Sequence, residues 1–134
     1  MAEMLELEVA TPERELVREQ VTEVQLPGRN GYMGILPGHA PLVGLMGIGI
    51  LTYNLGNEKR YLAVHGGFVE VADDHVRVVA DTAERAEEID IPRAQIALRR
   101  AIEDGQNPAE AVDPASALAA IARAQARIDA ANAQ

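Results

Sequence analysis

The stretch ILTYNLGNEKRYLAVHGGFVEVADDHVRVV, residues 50–79, decides the fold of this chain of 134 residues. It holds four short apolar runs, and the turn-forming pairs Gly56-Asn57 and Asp73-Asp74 separate the first run from the second and the third from the fourth. Apolar runs on either side of such a pair are typical of a β-hairpin. The sequence therefore predicts two successive hairpins. Their strands are expected over residues 50–55, 61–65, 68–71 and 76–79.

The segments before this stretch show the same short apolar pattern. Leu5, Leu7 and Val9 alternate with Glu6 and Glu8, which predicts a strand with one buried face and one face in water. Further apolar positions continue in short segments at Val17, Val21, Val24 and Leu26. Many short strands with no helical pattern between them indicate an antiparallel β-sandwich (flattened barrel).

The pattern becomes helical near Ala83. Asp90 is predicted to cap a first helix, and Gly105 is the candidate for its C-terminal cap, before a break at Asn107-Pro108. Apolar residues recur at helical spacing within it, at Ile91, Ala94, Leu98, Ala101 and Ile102. Asp113-Pro114 predicts the start of a second helix, because proline is favoured at the first helical position.

The second helix offers few large side chains for packing. Leu118, Ile121 and Ile128 form one narrow stripe among many alanines, and each contributes roughly 1.5–3 kcal/mol if it is fully buried. Alanine has the highest helix propensity, so the helix can persist without packing. The sequence thus predicts a β-sandwich domain over residues 1–85, followed by a weakly held, antiparallel two-helix hairpin over residues 86–134.

The composition excludes several classes of function. The net charge of −9 and the aromatic content of 3% argue against nucleic-acid binding, because phosphates would be repelled and stacking surfaces are scarce. The absence of cysteine removes disulfide and thiol chemistry. Residues 30–57 carry no charge, but seven glycines and two prolines interrupt them, so we expect buried strands and no transmembrane segment. The acidic N-terminus lacks a signal-peptide pattern.

The glycine-rich stretch LPGRNGYMGILPGHAPLV, residues 26–43, does not match a phosphate-binding loop. It lacks the Gly-Lys-Ser/Thr ending of a P-loop, and its glycines are wrongly spaced for a dinucleotide fingerprint. His39 stands without the neighbouring ligands that a metal site needs. Ser116 is the only serine and lies far along the chain from the histidines, so an enzyme is the least favoured class. We interpret the stretch as turns that join short buried strands.

Acidic and basic residues are divided unevenly between the two halves. Residues 1–88 hold 15 acidic and 7 basic residues, whereas residues 89–134 hold 6 and 5. The basic residues of the second half are Arg93, Arg99, Arg100, Arg123 and Arg127. Taken alone, these charges favour the solvated faces of two helices.

Three segments together resemble the epsilon subunit family of F-type ATP synthases. They are GYMGILPGHAPL at 31–42, HGGFVEV at 65–71 and ADTAERA at 80–86, in the order in which the family has them. The first string is highly specific, and the resemblance covers essentially the whole chain. It implies a non-catalytic subunit of the central stalk, which rotates with the membrane-embedded ring of c subunits and helps couple proton flow to ATP synthesis.

The resemblance also implies partners and a location. The sandwich would bind the gamma subunit and the c ring as a peripheral part of the complex, at the cytoplasmic face of the inner cell membrane. The hairpin would lie against the sandwich or extend along gamma towards the alpha and beta subunits and inhibit ATP hydrolysis. Many relatives have Glu at the position of Tyr32, so we expect the tyrosine to pack here in place of a polar contact with the c ring. The implied partner interface comprises Tyr32, Met33, Gly34, Pro37, His39, Pro41 and Leu42.

A further motif of the family concerns ATP as a regulatory ligand; no cofactor is required. Residues 89–94, IDIPRA, match the Ile/Leu-Asp-x-x-Arg-Ala motif by which some bacterial epsilon subunits bind ATP, and Arg123 and Arg127 match the second arginine pair of that site. The arginines would neutralise the phosphates, and bound ATP would favour the compact, non-inhibiting state. The competing interpretation is that Asp90 only caps the helix and the arginines are solvated. The implied site comprises Glu84, Ile89, Asp90, Arg93, Ala94, Arg100, Arg123 and Arg127.

Two other classes of function stay open at this point. A stand-alone nucleotide-sensing module would need the hairpin arginines but not the segment at 31–42, and co-purification with gamma would separate it from a stalk subunit. An enzyme would require ATPase activity of the isolated chain.

Overall fold

The computed structural model describes residues 3–106 and 113–134. A 3₁₀ turn, Ala86–Glu88, joins ten strands to the helices α1 (Ile91–Gln106) and α2 (Pro114–Asn132). The predicted break at Asn107-Pro108 lies outside the described residues. The strands are β1 (Leu5–Ala10), β2 (Glu15–Val21), β3 (Glu23–Gly28), β4 (Gly31–Ile35), β5 (Leu42–Leu45), β6 (Ile48–Leu55), β7 (Glu58–His65), β8 (Phe68–Ala72), β9 (His75–Val79) and β10 (Thr82–Arg85).

The strands form two five-stranded sheets, in the orders β2-β1-β9-β8-β5 and β10-β7-β6-β3-β4. Both predicted hairpins are present, because β6 pairs with β7 and β8 pairs with β9, each time antiparallel. Asp73 and Asp74 have φ angles of 50° and 58°, as two-residue hairpin turns of the mirror-image type require. The β-sandwich prediction is confirmed.

One pairing departs from a purely antiparallel arrangement. β1 runs antiparallel to β2 but parallel to β9, with Leu7 opposite Val76 and Val9 opposite Val78. Alternation within a strand predicts which side chains are buried, but it contains no information on the direction of a distant neighbour. A parallel pair needs a long crossover connection, and here the connection comprises all of β2 to β8.

The space between the sheets is filled by aliphatic side chains. Leu5, Leu7 and Val9 are fully buried, and the alternating Glu6 and Glu8 lie on the outer face, as predicted. Because each large aliphatic side chain contributes roughly 1.5–3 kcal/mol when it is buried, the sandwich has a substantial core of its own. Other fully buried members of this core are Val21, Val24, Leu26, Ile35, Leu51, Leu62, Val64 and Val69.

The two helices begin where the sequence predicted. The backbone N–H of Arg93 donates to Asp90 Oδ1 at 3.1 Å, so Asp90 caps α1, and α2 begins with Pro114. The prediction that Gly105 caps α1 is wrong, because Gly105 lies inside the helix. It faces the start of α2, since a Cβ atom at Gly105 would be in van der Waals contact with that of Ala117, at 3.4 Å.

α2 packs through its alanines. The expectation that a stripe of larger side chains forms the buried face is wrong, because Leu118 is 68% exposed and Ile121 and Ile128 are only half-buried. Small side chains allow the helix backbone to approach its neighbours closely, which is the physical reason for the difference. The buried residues of α2 are Ala117, Ala124, Ala126, Ala130 and Ala131.

The hairpin lies against the sheet that contains β6 and β7. A second buried cluster, separate from the core of the sandwich, forms there from one residue of β7, the first residue of the 3₁₀ turn, the residue that follows this turn, and the end of α2. We name it the docking cluster; it comprises Ala63, Ala86, Ile89, Ala130 and Ala131. Four of its five members are alanines, and the larger side chains packed against it, Ile50, Tyr61 and Ile91, are only partly buried. Less apolar area is therefore removed from water here than between the two sheets. The expectation of a weakly held hairpin agrees with this packing.

Candidate functional site

A cleft of about 560 Å³ opens between the hairpin and the sandwich. β7 and β10 form one side of it, and α1 and α2 form the other. Alanines of the two helices provide part of its wall. We name it the arginine cleft; its polar lining residues are His65, Thr82, Glu84, Arg93, Arg123 and Arg127.

Helical and strand periodicity explain why these side chains meet. Arg123 and Arg127 are four residues apart on α2 and therefore share one face. On β10, Ala83 points into the core of the sandwich. Thr82 and Glu84 therefore project from the opposite face of the sheet, towards the hairpin. The site depends on the docked position of both helices.

The arginine cleft carries an excess of positive charge. Arg127 Nε lies 2.7 Å from Glu84 Oε1, and Arg127 Nη2 donates to Glu84 Oε2 at 3.5 Å. The Nε–H of Arg127 is buried and is not aligned with either oxygen well enough for a hydrogen bond. Within residues 3–106 and 113–134, no carboxylate forms an ion pair with Arg93 or Arg123. Three guanidinium groups facing one carboxylate form a suitable site for a polyanion.

The cleft contains half of the residues that the family motif assigns to an ATP site: Glu84, Arg93, Arg123 and Arg127. The other four lie elsewhere. Ile89 belongs to the docking cluster, Asp90 caps α1, and Ala94 is fully buried within the hairpin. Arg100 is exposed on α1, farther along the helix, and does not line the cleft.

His65 and Thr82 are cleft residues that no sequence pattern identified as site residues. They lie opposite each other on β7 and β10, and Thr82 Oγ1 is 2.7 Å from His65 Nδ1. Burial and the nearby charge of Arg123 hold the pKa of His65 below its ordinary value, with a smaller contribution of the same sign from Arg127; Glu84 acts in the opposite direction. The pairing of β7 with β10 brings these residues together, and only that long-range pairing could have revealed them.

A second candidate site lies where the two sheets end. β4 and β5 are the outermost strands of their sheets, and a cavity of about 660 Å³ between them is lined by residues 28–33, Gly44 and Leu45. The predicted partner residues lie on β4, on the loop after it and at the start of β5. Additional large apolar side chains are exposed there. We name as the edge surface the predicted residues Tyr32, Met33, Gly34, Pro37, His39, Pro41 and Leu42 together with the exposed Leu36, Val43, Leu45 and Phe68.

The exposed apolar groups of the edge surface are typical of a protein-binding site. Val43 is 75% exposed and Leu45 is 56% exposed, on a strand that has a paired neighbour on one side only. Outer strands present unpaired backbone groups, and contiguous apolar patches on a surface mark interaction sites. The sequence signal was the run of apolar residues in β5, which does not alternate with polar ones.

Tyr32 is the residue at which the family resemblance implied packing of a tyrosine. Its hydroxyl oxygen accepts a hydrogen bond of 3.0 Å from the backbone N–H of Ile50. Gly49 gives it room, because a Cβ atom at Gly49 would lie 2.5 Å from that oxygen. The tyrosine therefore lies across β6, as expected for a side chain that packs, although 64% of its surface is exposed.

Neither described helix is long and apolar enough to cross a membrane.

Comparison with known proteins agrees with this architecture. The family described as "ATP synthase, Delta/Epsilon chain, beta-sandwich domain" matches residues 4–86. The ATP synthase epsilon chain of Solibacter usitatus is 68% identical over 128 residues, which are 96% of each chain. That of Desulfitobacterium hafniense is 44% identical over 131 residues, 98% of each chain.

Solved structures show the same fold. A chain of the mitochondrial ATP synthase of Euglena gracilis, from a structure of OSCP, F1 and c-ring, aligns with a TM-score of 0.82 and 29% identity, over 96% of this chain and 81% of that one. A chain from the central stalk and c-ring of the Tetrahymena thermophila enzyme shares the fold with a TM-score of 0.62 and 13% identity, over 95% and 96% of the two chains. The chain belongs to the epsilon chain family of ATP synthase, a subunit family of the complex that is distinct from its catalytic subunits.

Proposed function

We propose that this epsilon chain joins the rotor through its edge surface, where it contacts the gamma subunit and the c ring, and that its hairpin restrains ATP hydrolysis. ATP in the arginine cleft would favour the docked hairpin. The observation that carries this proposal is the position of the cleft: its charged residues come from the sandwich and from both helices. A ligand there contacts both parts of the chain, next to a docking cluster of mainly alanines.

The edge surface supports the assembly role. Its exposed apolar side chains stand beside the glycine-rich loop, and that loop is fixed to the sandwich because the backbone N–H of Gly38 donates to Asp74 Oδ1 at 2.7 Å. A surface of this kind stays in place when the hairpin moves. We therefore infer that the subunit is held peripherally at the cytoplasmic face of the membrane, where it helps couple proton flow to ATP synthesis.

Assembly can be tested by disrupting the edge surface. Leu45→Glu should abolish binding to gamma in a pull-down, whereas Leu118→Glu, a charge at another exposed leucine, should leave binding unchanged. A chain that ends at Arg85 should fold and bind gamma. If Leu45→Glu binds as the native chain does, or if the shortened chain folds without binding, the proposed division between the two domains is wrong.

The hairpin supports the regulatory role, because the fully buried side chains that hold it are mainly alanines. Released helices could extend along gamma towards the alpha and beta subunits, where their arginines would meet acidic side chains. α2 has 19 residues and is therefore about 28 Å long. The ATPase rate of the complex should rise when the chain ends at Arg85, and equal rates with the full and the shortened chain would contradict inhibition by the hairpin.

ATP binding in the arginine cleft is supported by charge and size. Arg93 and Arg123, which line the cleft from α1 and α2, carry no ion pair in the described chain and can donate charge-assisted hydrogen bonds to phosphate oxygens. A volume of about 560 Å³ lies in the range of small-molecule sites. A ligand changes the position of the hairpin only through differential affinity, and the cleft is complete only in the docked state.

Calorimetric titration of the isolated chain tests this site. Arg93→Ala and Arg123→Ala should each weaken ATP binding about tenfold or more, the size expected when a hydrogen bond to a charged group is lost. Arg99→Ala is the matched control, since Arg99 is exposed on the same helix as Arg93 but does not line the cleft. Arg100→Ala decides whether the ligand extends along α1, beyond the cleft. The absence of binding at millimolar ATP, or equal binding by all these variants, would contradict an ATP site in the arginine cleft.

A stand-alone nucleotide-sensing module remains the second candidate. One observation favours it: all residues of the cleft belong to this chain, so nucleotide binding needs no partner. A chain that binds ATP but does not bind gamma would support that alternative.

A further inference from the structure

His65 lies at the junction between the sandwich and the hairpin and has a buried polar atom. Its Nδ1 contacts Thr82 at 2.7 Å, whereas its Nε2 is shielded from solvent and has no hydrogen-bond partner among the described residues. A neutral imidazole carries one N–H group, and a protonated imidazole carries two. Since a buried charge without a partner is unfavourable, this environment favours the neutral ring.

The groups around the ring come from four elements. α2 contributes Arg123 and Arg127, and α1 contributes Arg93. β10 and the residue before it contribute Glu84 and Asp81, and β6 contributes the uncharged Ile48 opposite the histidine. Glu84 is already engaged with Arg127, and Asp81 is exposed to solvent. A proton on the ring would therefore place a positive charge mainly beside the arginines of α2.

We propose that His65 is a proton-sensitive latch for the hairpin: the neutral ring allows docking, and the protonated ring repels the arginines of α2 and releases it. The latch rests on the exchange of the hairpin between two positions, which is part of the proposed function, and it is independent of nucleotide binding. The regulatory input is the acidity of the surrounding solution.

The direction in which pH changes docking follows from the difference between the pKa of His65 in the docked chain and its pKa in the released chain. In the docked chain, burial and then Arg123 lower the pKa of His65 below its ordinary value of 6.5. Release of the hairpin returns the ring to water and restores that value. Docking is therefore fully favourable above pH 6.5 and weakens as the pH falls below it. At pH 5.5, one unit below the ordinary pKa, the docking equilibrium constant can fall by up to about tenfold.

The chain is suited to a fluorescence test because it contains no cysteine. Gln20→Cys on β2 and Gln125→Cys on α2, both exposed, would carry a donor and an acceptor. Energy transfer is then recorded without nucleotide between pH 8 and pH 5.5. The series is repeated with Ala130→Leu, which crowds the docking cluster and brings the equilibrium into the measurable range. We expect the docked fraction to fall on acidification, with the midpoint below pH 6.5.

Two substitutions separate the latch from other titrating groups. His65→Gln carries no charge at any pH and should remove the step, while Glu84 and Asp81 are left in place. His65→Arg is charged throughout and should lower the docked fraction even at pH 8. The latch is overturned if His65→Gln keeps the step, if the Ala130→Leu chain shows none, or if His65→Arg stays docked. Constant energy transfer in every variant would contradict hairpin exchange itself, whereas exchange that does not depend on His65 would contradict the latch alone.

Discussion

The sandwich and the hairpin are held together by different classes of side chain. Between the sheets, leucine, valine and isoleucine side chains are almost completely buried, whereas the docking cluster holds four alanines and a single isoleucine. The stabilisation scales with the apolar area removed from water. A buried side chain between the sheets therefore stabilises the fold more than a buried alanine beneath the hairpin does. One chain thus combines a permanent body, the sandwich, with an attachment, the hairpin, which can detach at a low cost in free energy.

The largest expected effect tests the permanent body. Leu62, on β7, is 1% exposed, and Leu62→Ala should lower the free energy of unfolding by about 2–5 kcal/mol, because a cavity remains in the core. Leu118→Ala is the matched control at 68% exposure and should change it by less than about 0.5 kcal/mol. Urea unfolding of both variants, followed by circular dichroism, gives the two values. Similar losses in both variants would mean that the two regions are held equally.

A smaller effect is expected at the attachment. Ala130 is fully buried beneath α2, and Ala130→Leu should weaken docking by about 1–3 kcal/mol through overpacking, while the sandwich stays folded. Ala122→Leu, at an exposed position of the same helix, should leave docking unchanged. Hydrogen exchange is the measurement: amides of α2 should lose protection only in Ala130→Leu. Loss of protection throughout the sandwich would show that the two regions unfold together.

The smallest effect concerns the joint between the regions. Arg14 Nη2 and Nη1 donate to Glu88 Oε2 at 2.6 Å and to Oε1 at 3.2 Å, and Arg85, which also contacts Glu88, donates from Nη2 to the carbonyl oxygen of Leu16 at 2.8 Å. The hydrogen bonds to the Glu88 carboxylate, first that of Arg14 and then that of Arg85, hold the pKa of Glu88 below its ordinary value of 4.5. The stabilisation is therefore present above pH 4.5 and disappears as the pH falls through the lowered pKa.

Glu88→Gln should accordingly cost about 0.2–1 kcal/mol at pH 7, as for other solvent-accessible ion pairs. The difference from the native chain should shrink on acidification to pH 3. Thermal unfolding at both pH values measures it, with Glu87→Gln as the control, since Glu87 makes no ion pair in the described chain. A difference that stays constant with pH would exclude the ionised carboxylate as the cause.

The accuracy of the sequence predictions follows the same division. The hairpins at Gly56-Asn57 and Asp73-Asp74 and the alternation of β1 were predictable, because turn residues and a period of two are local signals. The parallel pairing of β1 with β9 was not, since no local pattern specifies a partner so distant in the chain. In the helical half the cap at Asp90 and the start of α2 at Pro114 were predictable. The buried face of α2 was not, because size alone suggested the stripe that contains Leu118.

The candidate site shows the same limit. The four charged residues of the cleft could be selected from the family motif, but the motif also selected Ile89, Asp90, Ala94 and Arg100, which do not line the cleft in the docked chain. His65 was overlooked because its relation to α2 depends on how two domains dock. A sequence motif identifies residues of the right chemical type. The way in which the hairpin docks on the sandwich decides which of those residues line the same cleft.

The parallel pairing of β1 with β9 has a consequence for synthesis of the chain. β1 is made first, yet one of its two neighbours is complete only when residue 79 has been added. Long-range pairing of this kind slows folding. During translation, apolar strands stay unpaired until the partner strand has been synthesised. The helices are made last, so we expect the nascent chain to close its sandwich before α2 leaves the ribosome. The surface on which the hairpin docks then exists before the hairpin does.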